Sequence, residues 1–507
     1  MKKIFVILVL VLSPFAMGLY AQCPDGEDFK EVVVSWDKYP VMTDPTKWGN
    51  LELDPNDPPP PDPDEVRRIY FVHGLGGNNK AWAKPAAASK NGSPGFPRRK
   101  CETTLLNYSN NTANLLDATN AIRESTGTTI TIDAQAALDR QQGIIKPSRS
   151  IIIAHGQGGL LSRELMHLDI VVDNTLPQNM DYGGVITIAS PLQGARILDN
   201  NRKLLTDWAT DACRKIGNGS IRDDITNFLN NKMSPLLDGT CQTNANTAMP
   251  MFFNSYYNEI TKDYTIGSSM MSTLNQDADN ANYRAFHKMA FYAVEPTTNL
   301  FWRTLRWMTS NPDDLSCFQA NDDWETYNEA KKVIDKFQAQ KQARHADYIA
   351  GAWTSGIIGV GSIVGAFFSG GTTLFFLIPA GGFGIDAANE KAKYLAYSDA
   401  LEWFNNANKS WEAVIGTDVR FVTKKDQNGR PTEMRYPESD GVVDEFRAKN
   451  MPYATHEPIR ICPKDYRGME IGSSHMQVRN DKGLKDALND LYNGKYDKWF
   501  FVAEDNQ

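Results

Sequence analysis

Four short turns hold the residues best suited to chemistry. His73-Gly-Leu-Gly-Gly77 and His155-Gly-Gln-Gly-Gly159 each follow a β-branched run, while Ser439-Asp-Gly-Val-Val443 and Ser474-His-Met-Gln-Val478 lie far downstream. An imidazole gains and loses a proton near neutral pH. A carboxylate on its far nitrogen orients it as a general base, able to take a proton from a hydroxyl or from water. Asp440 and His475 are that pair of residue types, in that order. Each also has a plainer reading. Asp440-Gly441 suits an ordinary turn, and His475 alone suits a surface position. His155 suits a packing role at its turn, and His73 a buried ring bonded to backbone. Only order and spacing lift Asp440 and His475 above these alternatives.

The flanking segments say what positions the turns. Asn56–Asp64 holds five prolines and reads as a stiff extended linker. It leads to Arg68–Val72, a short β-branched and aromatic run expected to be a buried strand. Further strands are expected at Ser150–Ala154, Gly184–Ala189 and Met289–Val294. Helical patterns appear near Thr112–Ser125, Ala134–Gln142 and Leu160–Met166. Strands alternating with helices predict an α/β fold, a doubly wound and mostly parallel sheet covered on both faces. Ligands of such sheets bind beyond the carboxyl ends of the strands.

These turns resemble those of the α/β-hydrolase lipases, and more closely the secreted bacterial lipases whose elbow reads Gly-His-Ser-Gln-Gly-Gly. Ile188-Ala-Ser-Pro-Leu-Gln-Gly194 is similar to a turn that follows the elbow in those enzymes, Ser439–Val443 to their acid turn, and Ser474–Val478 to their histidine turn. The resemblance covers about residues 66–196, 286–296 and 432–495. It implies an elbow that lifts one side chain above the sheet, Asp440 orienting His475, and backbone N–H groups of Leu75 and Gln157 as the oxyanion hole. The position of the nucleophilic serine is Gly156. Glycine has no hydroxyl and cannot form an acyl-enzyme. The direct expectation is a catalytically impaired protein or pseudoenzyme that binds a lipid or small apolar ester-like ligand. The alternatives are an active carboxylic ester hydrolase using Ser162, Ser190 or water activated by His475, and a membrane-inserting protein. No cofactor is expected, and no calcium site, since Gln477 stands where relatives carry an acidic ligand.

The division along the chain is expected to be a signal peptide (1–21), an N-terminal segment with the Pro-rich linker (22–65), the first part of the hydrolase core (66–196), a helical and polar cap insertion (197–287), a core strand (288–296), a helical hairpin insertion (297–431) and the C-terminal part of the core (432–507). Lys2, Lys3, the apolar run Ile4–Leu12 and Leu19-Tyr-Ala21 form the export signal, placing the protein in the periplasm, at the cell surface or outside the cell. No sorting domain is expected after the last core helix and strand, near Phe501.

Within 297–431, the 38 residues from Tyr348 to Ile385 carry no charge and ten glycines. Apolar residues at helical spacing flank them: Tyr327, Ala330, Ile334 and Phe337 before, Tyr394, Tyr397, Leu401, Phe404, Trp411 and Ile415 after. Two helical arms with an apolar tip at 348–385 follow, either buried on the body or in contact with membrane. The formal net charge of −8 disfavours nucleic acid as partner. Six cysteines in an exported chain fit up to three disulfides, with Cys213–Cys241 the first expected pair.

Overall fold

The computed structural model describes residues 65–75, 77–108, 114–123, 142, 148–199, 259–295, 338–347, 394, 395, 398, 411–428, 430–464, 468, 470 and 472–505. The signal, the linker, the expected helix Ala134–Gln142, most of 197–258, the apolar tip 348–385, Cys23, Cys213, Cys241 and Cys317 lie outside the described residues.

Eight strands form in chain order: β1 Arg67–Val72, β2 Cys101–Leu106, β3 Ile151–His155, β4 Gly184–Ile188, β5 His287–Ala293, β6 Phe421–Lys425, β7 Pro431–Arg435 and β8 Ile459–Ile461. Six of them make one sheet in the order β2-β1-β3-β4-β5-β8, and every neighbouring pair is parallel. The register sets Val72 beside Ala154, Ala154 beside Thr187, and Ile188 beside Phe291. The ends of the two glycine-rich-turn strands, β1 and β3, are therefore adjacent.

Side chains of the central strands alternate between two apolar layers, as period-two geometry requires. Tyr70, Val72, Ile152, Ala154, Val185 and Ala290 face a layer that includes helices α2 (Leu115–Arg123) and α3 (Gln157–Met166). Ile69, Phe71, Ile151, Ile153, Ile186, Met289 and Phe291 face the other, covered by α1 (Ala83–Asn91) and α5 (Lys482–Tyr492). A sheet buried on both faces needs apolar residues at every position, which explains the unbroken Ile151-Ile-Ile-Ala154 run. Each buried Ile contributes about 1.5–3 kcal/mol relative to exposure. Helix α5 covers its face with Leu484, Leu488 and Leu491, one stripe at helical spacing, and Asp481 caps it by accepting from Leu484 N–H at 2.9 Å.

The four expected strands and the helix near 115–123 form within a few residues of expectation, and the doubly wound parallel sheet is present. The sheet edges and the segment near Phe501 depart from expectation. Both sheet edges, β2 and β8, lack an apolar run. Edge strands meet water on one side, so β2 reads Cys-Glu-Thr-Thr-Leu-Leu and β8 has only three residues. The expected strand near Phe501 is a short 3-10 turn, Lys498–Phe500, followed by extended chain that pairs once with the entry to β2, at Arg99 and Glu504.

Described parts of the two insertions pack on the body. In 197–287, the described part runs through Glu259–Lys262, α4 (Ser269–Gln276) and Ala281–Ala285, and Ile260, Tyr264, Met271, Leu274, Tyr283 and Phe286 are buried in the sheet's first apolar layer. In 297–431, Trp411, Val414 and Ile415 enter the same layer, and Trp411 donates its indole N–H to the Gly441 carbonyl at 2.8 Å. The chain then forms an antiparallel β6–β7 ribbon. Its turn is organised by Asp426, whose carboxylate accepts from Asn428 N–H and Arg430 N–H, both at 2.8 Å. Asn428-Gly429 is the hairpin signal that the helical pattern masked.

Cys101 and Cys462 are both free, the first in β2 and the second just beyond β8. These are opposite edges of a six-stranded sheet, so about 24 Å of strand spacing separates them, far beyond disulfide reach. With two of six cysteines free, three bridges do not form.

Candidate functional site

The sharp turn after β3 is built by close packing. Gly156 has φ 53° and ψ −123°, between extended strand and the first residue of α3. Its N–H donates to Ile188 O at 3.0 Å, and its carbonyl accepts from Gly159 N–H at 3.1 Å. The helix start presses on the end of β1: a Cβ on Gly158 would come within 2.4 Å of His73 O. Two glycine-rich turns thereby lie against each other.

A Cβ built on Gly156 would stand 3.2 Å from His475 Nε2, and next nearest, 3.7 Å from Gly74 Cα. On its other side, the His475 ring donates from Nδ1 to Asp440 Oδ2 at 2.7 Å. Asp440 is held in turn. Its Oδ1 accepts from Val442 N–H at 2.9 Å and Val443 N–H at 2.8 Å, and its carbonyl accepts from His475 N–H at 2.9 Å. Ser439 is pinned to the end of β5 by Glu295 N–H at 2.7 Å. The Asp440 side chain is fully buried and that of His475 nearly so. The carboxylate thus fixes which ring nitrogen carries the first proton, and Nε2 is left facing Gly156.

His155 backs this pair. Its Nε2–H donates to the His475 carbonyl at 2.8 Å, with ring centroids 4.8 Å apart. Burial, and next the neighbouring His475, hold its pKa well below the ordinary histidine value, so it is a neutral packing ring. His73 is buried too, and burial likewise lowers its pKa. It contacts Gly74 O at 2.9 Å and Asn107 Oδ1 at 3.1 Å. Both match the plainer readings of these histidines.

Leu75 and Gln157 line the same cleft as Gly156 and His475. Gln157 opens α3, so its N–H points out of the helix start, where no intrahelical acceptor exists. The Gln157 side chain is clamped at both ends: Nε2 donates to Tyr108 OH at 3.2 Å, and Oε1 accepts from Tyr264 OH at 2.7 Å. Tyr108 donates onward to His73 O at 3.1 Å and stacks on the His73 ring at 4.2 Å. Burial pushes both phenols above the ordinary tyrosine value, so they stay neutral donors. One hydrogen-bond chain therefore joins the two candidate donor loops.

The cleft encloses about 680 Å³ of space, part of it open to solvent. Pro191, Ala195, Ile197, Leu198, Val442, Val443 and Met476 give it apolar walls, and His155, Gln157, Tyr264 and His475 are the polar residues of its lining. The other two serines are elsewhere engaged. Ser162 Oγ is buried and donates to Gly158 O at 2.9 Å, and Ser190 Oγ is buried and contacts Ile188 O at 3.3 Å. Neither lines the cleft. Gln477, at the position weighed for calcium, is buried and bonded to Ser474 Oγ at 3.2 Å. Among the described residues no group of three or more His, Cys, Asp or Glu has the geometry to hold a metal ion.

Tyr108, Tyr264 and Met476 were not singled out in the sequence. Tyr264 sits in a polar stretch without a motif, and nothing marks it. Tyr108 follows β2 by two residues and becomes legible only once that edge strand is known.

No family model matches the chain, and no curated protein does. Solved structures do. Phospholipase PlaB from Legionella pneumophila is 14% identical over 45% of this chain and 40% of its own, with a TM-score of 0.26. The mature lipase BlEst2 from Bacillus licheniformis is 16% identical over 50% of this chain and 77% of its own, with a TM-score of 0.25. An extracellular α/β-hydrolase from a Paenibacillus species is 12% identical over 45% of this chain and 77% of its own, with a TM-score of 0.20. By name these are a phospholipase, a lipase and an α/β-hydrolase. The chain spans less than half the length of the phospholipase.

Proposed function

We propose that this is an exported lipase/esterase-like α/β-hydrolase that binds a lipid or ester-like ligand and lacks the hydroxyl needed to cleave it. One observation carries the reading: His475 Nε2, held by Asp440, faces the spot where a side chain on Gly156 would begin, 3.2 Å away. In the proposed roles, Asp440 and His475 are the acid and base of a former triad, and the N–H groups of Leu75 and Gln157 are the oxyanion hole. A ligand carbonyl would point at those donors and its apolar chain would lie along Pro191, Leu198, Val442 and Met476. Without Oγ no acyl-enzyme forms. Residual catalysis of about 10³–10⁴ over water is what donors and binding alone leave in such sites. The mature protein is therefore expected to show no His475-dependent turnover of p-nitrophenyl butyrate or palmitate. Native turnover that disappears in His475→Ala would overturn this reading.

That outcome would support the second reading, favoured by the same geometry. Since no side chain stands between Gly156 and Nε2, His475 would take a proton from water directly, and the hydroxide would attack the ester carbon in one step.

The apolar segment 348–385 is proposed to contact lipid. Its neighbours support a hairpin: Lys341 Nζ lies 5.8 Å and the His345 ring 5.0 Å from the Tyr394 ring, so the chain leaves and returns at one place. Among the described residues no helix is long and apolar enough to cross a membrane. The full protein is expected to float with phospholipid vesicles, and the variant lacking 348–385 to stay in solution. Equal flotation of both would remove lipid contact through this segment.

A further inference from the structure

The polar end of the cleft is more selective than its apolar walls, and it specifies the ligand's head. His475 donates a hydrogen bond from Nδ1–H to Asp440 Oδ2 at 2.7 Å, which leaves Nε2 turned to the cleft. Nε2 has no hydrogen-bond partner among the described residues. In an acyl hydrolase a serine hydroxyl meets this nitrogen, and none of the described residues offers one. Leu75 and Gln157 line the same cleft, and on the proposed reading their backbone N–H groups are its donors. A ligand that satisfies this end must accept from N–H groups with one atom and share a proton with an imidazole through another.

The common head groups differ on that test. An ester carbonyl meets the N–H donors, but its alkoxy oxygen has no proton for Nε2. An alcohol brings one oxygen, donor and acceptor in a single atom, where this end presents two separate demands. A carboxyl group meets both. One oxygen takes the N–H donors and the other shares a single proton with Nε2, as a carboxylate against an imidazolium. The buried Asp440 carboxylate balances the ring charge from behind. His155, the other ring packed on His475, is neutral and adds no charge.

Space agrees with this count. A Cβ on Gly156 would stand 3.2 Å from Nε2, so the glycine leaves room for a ligand oxygen within hydrogen-bonding reach of the ring. Resting on the reading of the cleft as a ligand site, we propose that it is a receptor for a carboxylate-headed apolar molecule, a fatty acid. One carboxyl oxygen takes the place a serine hydroxyl would occupy. General attraction cannot produce such a preference, because the chain carries a formal net charge of −8 and repels anions at long range.

Titration calorimetry of the full mature protein with octanoate, methyl octanoate and octanol tests this. Octanoate is expected to bind at least about ten-fold tighter than its methyl ester, the effect of leaving one buried polar atom unpaired. The preference is expected to vanish in His475→Leu, and also in Gly156→Ala, whose methyl group would stand 3.2 Å from Nε2 and fill the same space. The second variant keeps the test valid should the first fold poorly. If the methyl ester binds native protein as tightly as octanoate, the head-group assignment is wrong and the apolar-ligand reading stands. If none of the three binds, that reading itself falls and takes the assignment with it.

Discussion

Gly156→Ser is expected to convert the protein into an esterase, with turnover of p-nitrophenyl butyrate at least about 10³-fold above the native chain. In serine hydrolases the triad acting as a unit accounts for about 10⁶ in kcat, and on the proposed reading every part but one is in place here. Gly156 already holds the elbow conformation, φ 53° and ψ −123°. A new Cβ would meet only the His475 ring edge closely, at 3.2 Å. The ring has to yield by a few tenths of an ångström, and the hydroxyl then lies beside Nε2. A side chain at positive φ is strained, so the gain should come with about 1–3 kcal/mol of lost stability. Steady-state kinetics and a denaturant melt of the two proteins measure both effects. A variant that folds and stays silent would mean that the Leu75 and Gln157 donors do not serve an oxyanion.

Asp440→Asn in that serine background is expected to lower kcat by about 10⁴-fold, with little change in KM. The direction follows from the loop. Val442 and Val443 N–H both donate to Asp440 Oδ1, at 2.9 and 2.8 Å. An asparagine must place its amide oxygen there and its NH₂ toward His475 Nδ1. The ring then accepts at Nδ1 and carries its proton on Nε2, the wrong tautomer to take one from a hydroxyl. The loop keeps its backbone bonds, so folding should survive. Equal kcat in the two serine-bearing proteins would show that Asp440 has no part in orienting the base.

How far the sequence alone carries depended on what each residue is buried against. Strands β1, β3, β4 and β5 have both faces covered, and their unbroken apolar runs were legible. Strands β2 and β8 are edges, and Glu102, Thr103 and Arg460 hid them. Asp440 and His475 are 35 residues apart and carry no local signal of their contact. They were legible only through their order after the elbow. Tyr264 is 107 positions from Gln157, in a segment whose polar composition suggested a cap. Its burial comes from Ile260, Met271 and Leu274 nearby, too few and too spread to outweigh the polar residues between them. Trp411 and Ile415 had spacing that fits a helical arm whether buried on the body or not, and the coordinates place them in the core. Gly156 was the reverse case. Its identity was plain in the sequence, while its fit to a retained Asp–His pair required coordinates.

The most direct test of the proposal that the site lacks only one hydroxyl is active-site labelling with an alkyl fluorophosphonate, read by intact-mass and peptide mass spectrometry. Native protein should remain unlabelled. The Gly156→Ser variant should take up one phosphonyl group per chain, on the peptide containing position 156, and lose that reactivity when His475→Ala is added. Labelling of native protein, or of Ser162 or Ser190 in either protein, would contradict the account and place the nucleophile elsewhere.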